Sequence, residues 1–451
     1  MLTAPEPAPG TTALITEPDR ALLLDLLALP TTGPLEGGTP RLWEAQKRYA
    51  AAAAPLGFDT VRHGPPDRAW VELPDVPRPV RDAADDPGFL AEQPSLLLRL
   101  GPAGAPRERT VMFNVHLDTV AGLQPVRHDP GTDTFHGRGA VDAKGPAVAL
   151  LAGLRAALAA RPGLAARTTV LLQAVAGEEG GALGTIGTRP LVAAGHFGRL
   201  NVFCEPTGNR ALTRCTAAMT ARITTDGQDA VDDRPSAGHN ATVLLGFLAQ
   251  HLAGAVAPGE GRLCIAGLHT GHLHNRVYGK GELLINLAYP DLATAARLEQ
   301  AVTEALADGL RAFADRFAAN PLLARTAVDA ARITRLDWLK RGLPALRPAA
   351  GDGWLTGLLE RAGIAGWPDG EPGFTCDAIW LAGHPGTATA VLGPGTLAGN
   401  HAHADGEFVR TAELNGFARA VRDLLCAFDA DHSPGPLSAH LPTQEARAAC
   451  R

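Results

Sequence analysis

Four residues of metal-binding type sit at or beyond the ends of short apolar runs in this 451-residue chain, and a fifth stands in a loop nearby. The run 110–115 leads into His116-Leu117-Asp118, 169–176 into Gly177-Glu178-Glu179, and 200–204 into Glu205-Pro206. The run 389–393 lies ahead of His401-Ala402-His403, and Asp142 stands in a glycine-flanked loop, Gly137-Arg138-Gly139-Ala140-Val141-Asp142-Ala143-Lys144-Gly145. Runs this short and this rich in Val, Leu and Phe read as strands buried on both faces, the pattern of a parallel sheet. Ligands collect at the carboxyl ends of such strands. Three carboxylates and two imidazoles delivered there predict a site for two metal ions, with mixed nitrogen and oxygen donors that suit zinc first and cobalt or manganese as substitutes.

Each piece alone is weaker. A His-x-Asp pair is common at surfaces, though an acid two residues on is placed to orient a metal-binding imidazole. Asp142 precedes an apolar segment and could serve only as a helix cap. Glu205 could be a strand-end turn acid. Glu178-Glu179 is sharper: one acid can bind metal while its neighbour remains a base. Between His401 and His403 the residues themselves leave the choice open.

The elements that must position these groups follow from the hydrophobic pattern. Helices are expected near residues 21–30, over 39–54 and over 146–160, the last apolar on all faces and therefore a buried crossover between parallel strands. Short strands are expected at 60–62, 69–73 and 95–100, with loops at 76–87 and 125–139. From 219 onward the order becomes strand 219–225, helix 239–253, strands 262–268 and 282–288, helix 292–317 and a last strand near 330–335. That order fits a ferredoxin-like unit. A helix at 353–362 and a strand at 389–392 then resume the first pattern. The predicted fold is α/β: a doubly wound, mostly parallel sheet domain formed by 1–212 and 336–451, interrupted by an inserted α+β domain at 213–335.

Composition narrows the function classes. A chain this long exceeds one ordinary core, and 45% hydrophobic with 20% charged residues is a globular balance. The net charge of −6 gives no electrostatic claim on nucleic acid or anionic membrane. No apolar stretch reaches a membrane-spanning length, and no basic, signal-like segment opens the chain, so a cytoplasmic location is expected. Cys204, Cys215, Cys264, Cys376, Cys426 and Cys450 form no CxxC pair and read as reduced thiols.

Taken together and in order, Asn114-Val115-His116-Leu117-Asp118-Thr119-Val120, the 137–145 loop, Gly177-Glu178-Glu179-Gly180, Cys204-Glu205-Pro206-Thr207, Thr375-Cys376-Asp377-Ala378, Gly393-Pro394-Gly395 and His403 with Glu407 four later resemble the M20 family of dimetal metallopeptidases and deacylases. This is the group of acetylornithine deacetylase, succinyl-diaminopimelate desuccinylase and carboxypeptidase G2. The resemblance implies that Asp142 bridges two ions, that His116 and Glu205 complete one, and that Glu179 and His403 complete the other. It makes Glu178 the general base, Asp118 the orienter of His116, and the Asp142–Ala143 peptide cis. The inserted domain then corresponds to the family's lid, through which a homodimer is expected. Two lid groups depart from the pattern: Val231 stands where most relatives carry a histidine, and Ala288 where they carry a carboxylate-gripping arginine. Asn275 matches the family's asparagine, and His274 and Arg276 beside it are candidate substitutes, as are His272 and Lys280. The expected activity is hydrolysis of a small amide, N-acyl amino acid-like or dipeptide-like substrate. An acyl-transferring, amide-forming or cyclising reaction on the same site is the second expectation, and a non-catalytic metal-binding relative the third.

Overall fold

The computed structural model describes residues 13–348 and 353–431. The described residues divide into two compact units: one holds 13–72, 82–214, 347–348 and 353–431, the other Leu73–Arg81 and Cys215–Leu346. The sequence boundaries of 213 and 335 thus differ at both ends, and the short 73–81 segment belongs with the second unit.

The first unit is built on a six-stranded sheet in the spatial order Asp59–Gly64, Ser95–Leu100, Thr169–Val175, Thr110–His116, Leu200–Phe203, Ala388–Val391. The last four of these are parallel neighbours, and the first two add antiparallel at one edge. Every residue of Thr110–His116, Thr169–Val175, Leu200–Phe203 and Ala388–Val391 is buried, which accounts for their largely apolar character, with Asn114, Gln173 and Asn201 as buried polar exceptions. The helix Lys144–Ala160 is buried along its length to Leu154 and packs with the helix Thr411–Ala430 in the same core. This is the mostly parallel α/β sheet that the hydrophobic runs predict.

Three local expectations change. Residues 69–73, read as a strand, are a 3-10 helix (Arg68–Glu72), and the loop at 76–87 contains the short helices Arg78–Ala83 and Pro87–Ala91. Short, mixed-polarity segments of this kind carry no periodicity to separate the alternatives. The loop at 125–139 contains the strands Arg127–Asp129 and Thr134–His136, which form a small antiparallel sheet with Phe408–Arg410. That pairing joins residues more than 270 apart and leaves no local trace.

The second unit is a four-stranded antiparallel sheet in the order Arg262–His269, Lys280–Tyr289, Ala217–Asp226, Thr334–Lys340. Helices Ala241–Ala255, Leu292–Phe317 and Ala324–Ile333 accompany it. The final strand begins only at Thr334 because the helix Ala324–Ile333 occupies the residues just before it. A two-strand ribbon pairs Ala230–Val231 with Arg276–Val277. Cys204, Cys264 and Cys426 are free thiols; Cys450 lies outside the described residues. Among the described residues no helix is long and apolar enough to cross a membrane.

Candidate metal centre

All five predicted ligands belong to the first unit and converge. The strand Thr110–His116 ends on His116, and the parallel strand beside it runs directly into the loop carrying Glu178 and Glu179. Leu200–Phe203, on the other side, is followed two residues later by Glu205. Gly393 makes that last placement possible, because a Cβ there would stand 2.3 Å from the Glu205 carbonyl oxygen. Asp142 precedes the first turn of Lys144–Ala160, where the helix N-terminus favours negative charge, and its peptide bond to Ala143 is cis.

His116 Nε2 lies 2.9 Å from Asp142 Oδ1 and 3.9 Å from Glu205 Oε1. His403 Nε2 lies 3.0 Å from Asp142 Oδ2 and 3.0 Å from Glu179 Oε1. His116, Asp142 and Glu205 each offer a ligand atom within 4.8 Å of the others, and so do Asp142, Glu179 and His403. The two triads share Asp142, one oxygen to each. A third overlapping group within the same distance, His116, Glu178 and Glu179, places the Glu178 carboxyl beside both. His401, by contrast, packs edge-on to Phe408. Of the two histidines that the residues alone left open, it is His403 that lies in the cluster.

The electrostatics match that donor set. Burial and the neighbouring acids Glu179 and Glu205 push Glu178 well above the usual carboxylate range. Burial does the same to Glu205, and it raises Glu179 to about 6 against the pull of His403. Burial opposes a charged His116, yet Glu205 and Asp142 outweigh it and hold the imidazole well above its ordinary value. Hydrogen bonds to Asp142 and Glu179 push His403 up to about 11. Buried acids this close repel one another unless positive charge lies between them. Protons on two imidazoles meet that need in part, and divalent cations would meet it with the same donor atoms. The residues fit a two-cation site.

The supporting contacts correct one expectation. Nδ1 of His116 meets the backbone carbonyl of Asp118 at 2.9 Å, whereas the Asp118 carboxylate is 3.7 Å away. The carbonyl is the nearer partner of the ring, and the side chain is engaged elsewhere. Asp118 Oδ2 instead accepts the Glu179 backbone N–H at 3.1 Å, so this acid ties the loop of Glu178 and Glu179 to the strand of His116.

Glu407 is the residue whose role the sequence left unstated. Its Oε1 accepts the N–H groups of Val141 (3.0 Å) and Asp142 (3.2 Å), and its Oε2 pairs with Arg138 at 2.7 Å. Arg138 also donates to the Ala404 carbonyl. Glu407 and Arg138 thereby lock the loop of Asp142 to the loop of His403. The recognisable signal was the acid four residues after His403. Lys144 is buried as well, donates to the Leu29 carbonyl at 2.9 Å, and is held down to about 7 by that burial.

The residues considered for substrate contact lie in the second unit. Arg276 pairs in register with Val231, lies 4.0 Å from Asp229 and faces the Tyr278 ring. His274 and Asn275 are exposed on the same loop. Lys280 is in an ion pair with Asp226 at 3.0 Å. Ala288 is buried between Arg262 and Ala218 of the neighbouring strands, and Val231 is 59% exposed.

Comparison with known proteins agrees with this architecture. The solved structure of the dipeptidase Dug1p from Saccharomyces cerevisiae matches with a TM-score of 0.65 at 12% identity, covering 93% of this chain and 97% of that one. An M20 family metallo-carboxypeptidase from Sulfolobus solfataricus matches with a TM-score of 0.64 at 10% identity, covering 92% and 100%. At such identities the likeness is one of fold. A curated Aeropyrum pernix protein, described as a LysW-lysine/LysW-ornithine hydrolase, is 31% identical over 194 residues, 43% of this chain and 50% of that protein. This chain thus spans about half the length of the curated relative it matches. The model of peptidase family M20/M25/M40 matches residues 112–427, a span that contains all five clustered residues. The chain belongs to peptidase family M20/M25/M40.

Proposed function

We propose that this chain is a metal-dependent hydrolase of a small amide, N-acyl amino acid-like or dipeptide-like, and that Glu178 is its general base. The observation that carries the reading is the pair of ligand triads sharing Asp142, with the Glu178 carboxyl within reach of His116 and Glu179. His116, Asp142 and Glu205 would hold one divalent cation, and Asp142, Glu179 and His403 the other. Zinc suits these donors best, and cobalt or manganese can replace it. Such cations supply Lewis acidity to a substrate carbonyl and to water.

The chain's own residues then carry the proton. Glu178 takes it from the attacking water as the new C–O bond forms, and returns it to the nitrogen as the C–N bond breaks. A buried carboxyl among other acids is suited to hold that proton between the two steps. Asp118 keeps the catalytic geometry by fixing the His116 ring through its carbonyl and the Glu179 amide through its side chain.

The second unit bears on the substrate. Val231 and Ala288 offer no imidazole and no guanidinium, so we assign this chain a substrate that lacks a carboxylate at the corresponding place or presents it to another group. Asn275, Arg276 and His274 are the proposed contacts, and a homodimer through this unit is the proposed assembly. The Aeropyrum relative's description, which names LysW-lysine and LysW-ornithine, supports a substrate with an amino-acid part.

The test is incubation of zinc-loaded and chelator-treated protein with a panel of N-acyl amino acids, dipeptides and uncharged amides, read by mass spectrometry. Metal-dependent appearance of free amine and acid supports hydrolysis. Metal-dependent formation of a new amide from acid and amine, without hydrolysis, would overturn it.

A further inference from the structure

A chain of buried polar side chains starts on two neighbouring strands, at Asn114 and Gln173, and runs to Thr188 and Asp377. Gln173 Nε2 donates to the His196 carbonyl at 2.7 Å, and Gln173 Oε1 accepts from Asn114 Nδ2 at 2.9 Å. Asn114 Nδ2 also donates to Thr188 Oγ1 at 2.9 Å, and Thr188 Oγ1 bonds Asp377 Oδ2. The direction is forced. An amide nitrogen only donates, so the Thr188 hydroxyl accepts from Asn114 and its single proton goes to Asp377. Asn114, Gln173, Thr188 and Asp377 are each at most 2% exposed. A polar path costs more to bury than the aliphatic residues flanking it, unless every link is made.

The path ends on a turn that grips the loop of Glu178 and Glu179. Asp377–Leu381 is a 3-10 turn about 190 residues further along the chain. Besides the Asp377–Thr188 bond, Trp380 Nε1 donates to the Leu183 carbonyl at 2.6 Å. Arg189 lies over the Trp380 ring at 4.5 Å. At Gly184, with φ +62°, a Cβ would stand 2.6 Å from the Asp377 Cβ, so the two backbones meet as closely as glycine permits. Within the loop, Leu183 N–H reaches the Glu178 carbonyl at 3.0 Å and Gly184 N–H reaches Gly177 at 2.7 Å. Leu183 itself takes φ +48°, a left-handed conformation that costs a leucine about 1 kcal/mol or more. The loop bearing the two acids is thus closed through a residue that its neighbours must hold in place.

We propose that Asp377 and Trp380 are positioning residues: through Thr188 and Leu183 they clamp the 177–188 loop and so set where Glu178 and Glu179 stand relative to His116, Asp142 and His403. Neither touches a ligand atom. The inference rests on the assignment of Glu179 as a ligand, and its test separates the two.

The full chain is titrated with Co²⁺ and followed by visible absorption, and the metal-free protein is followed by amide hydrogen exchange. Asp377→Ala, Thr188→Val and Trp380→Phe are each expected to weaken the step belonging to Glu179 and His403 at least tenfold and to change its spectrum. The step belonging to His116 and Glu205 should keep its affinity. Exchange at Leu183 and Gly184 should rise at least tenfold in the metal-free variants. Thr188→Ser, which restores the hydroxyl, should return both readouts to those of the parent and keeps the test open where a harsher variant fails to fold. Parent-like Co²⁺ affinity and spectrum in the folded variants, or unchanged exchange at residues 183–184, would overturn the clamp. If the parent protein takes up no metal, the ligand assignment fails and exchange alone decides the clamp.

Discussion

His403 Nε2 stands 3.0 Å from Oδ2 of Asp142, the carboxylate whose other oxygen faces His116. One acid is thereby shared between two imidazoles that come from segments 287 positions apart in the chain, a relationship that fits a bridge between two cations. His403 achieves it at φ +62°, in a loop held by Arg138 and Gln124. The expected consequence is selective. His403→Ala should lower bound metal from two ions per chain to one, and His401→Ala should leave it at two, by elemental analysis of purified protein. Full occupancy in the His403 variant would sink the assignment.

Glu178 tests the base. Glu178→Gln preserves shape and hydrogen-bonding capacity but cannot shuttle a proton. It should retain metal and thermal stability while lowering kcat on the substrate found by about 10²–10⁴-fold. Retained turnover would place the base elsewhere.

The substrate prediction concerns Val231 and Ala288. A charge-assisted bidentate contact missing from a substrate carboxylate removes about 1.5–3 kcal/mol, or roughly 10- to 150-fold in kcat/KM. N-acetylornithine should therefore be hydrolysed less efficiently than its carboxamide, and Ala288→Arg should narrow or reverse that preference. Because Ala288 is buried, the variant's folding must be checked by circular dichroism before its rates are compared. Preference for the free carboxylate in the parent chain would show that other side chains take over its recognition.

A further expectation is a pH dependence of stability located away from the cluster. Burial raises the Asp19 carboxyl, but hydrogen bonds from Arg155 and Thr16 outweigh it and leave the folded-state value below 3.8. Arg155 meets both Asp19 oxygens, at 3.0 and 2.6 Å. A carboxyl depressed on folding stabilises fully above its unfolded pKa and loses that contribution as pH falls through the folded value. The stability gap between the parent chain and Asp19→Asn, from urea midpoints, should be constant above about pH 5 and shrink below about pH 4. A gap that widens on acidification would contradict the sign.

Much of this was written along the chain. The strand runs ending near His116, Glu178-Glu179 and Glu205 were legible because parallel strands buried on both faces need mostly apolar sequence, and because sites form where such strands stop. The ferredoxin-like order of the second unit was legible for the related reason that helix and strand periods differ.

What only the tertiary structure decided depends on long-range closure. His403 and His401 have identical side chains two residues apart, and the loop conformation that aims one at Asp142 and the other at Phe408 comes from Arg138, Gln124 and Glu407. The switch of Asp118 from ring to amide, the small sheet joining Thr134–His136 to Phe408–Arg410, and the grip of Asp377 and Trp380 on a loop nearly 200 residues earlier have the same origin. Each joins groups distant in sequence through a few hydrogen bonds or one short ladder, which carry no periodicity, and only the folded chain brings those groups within reach.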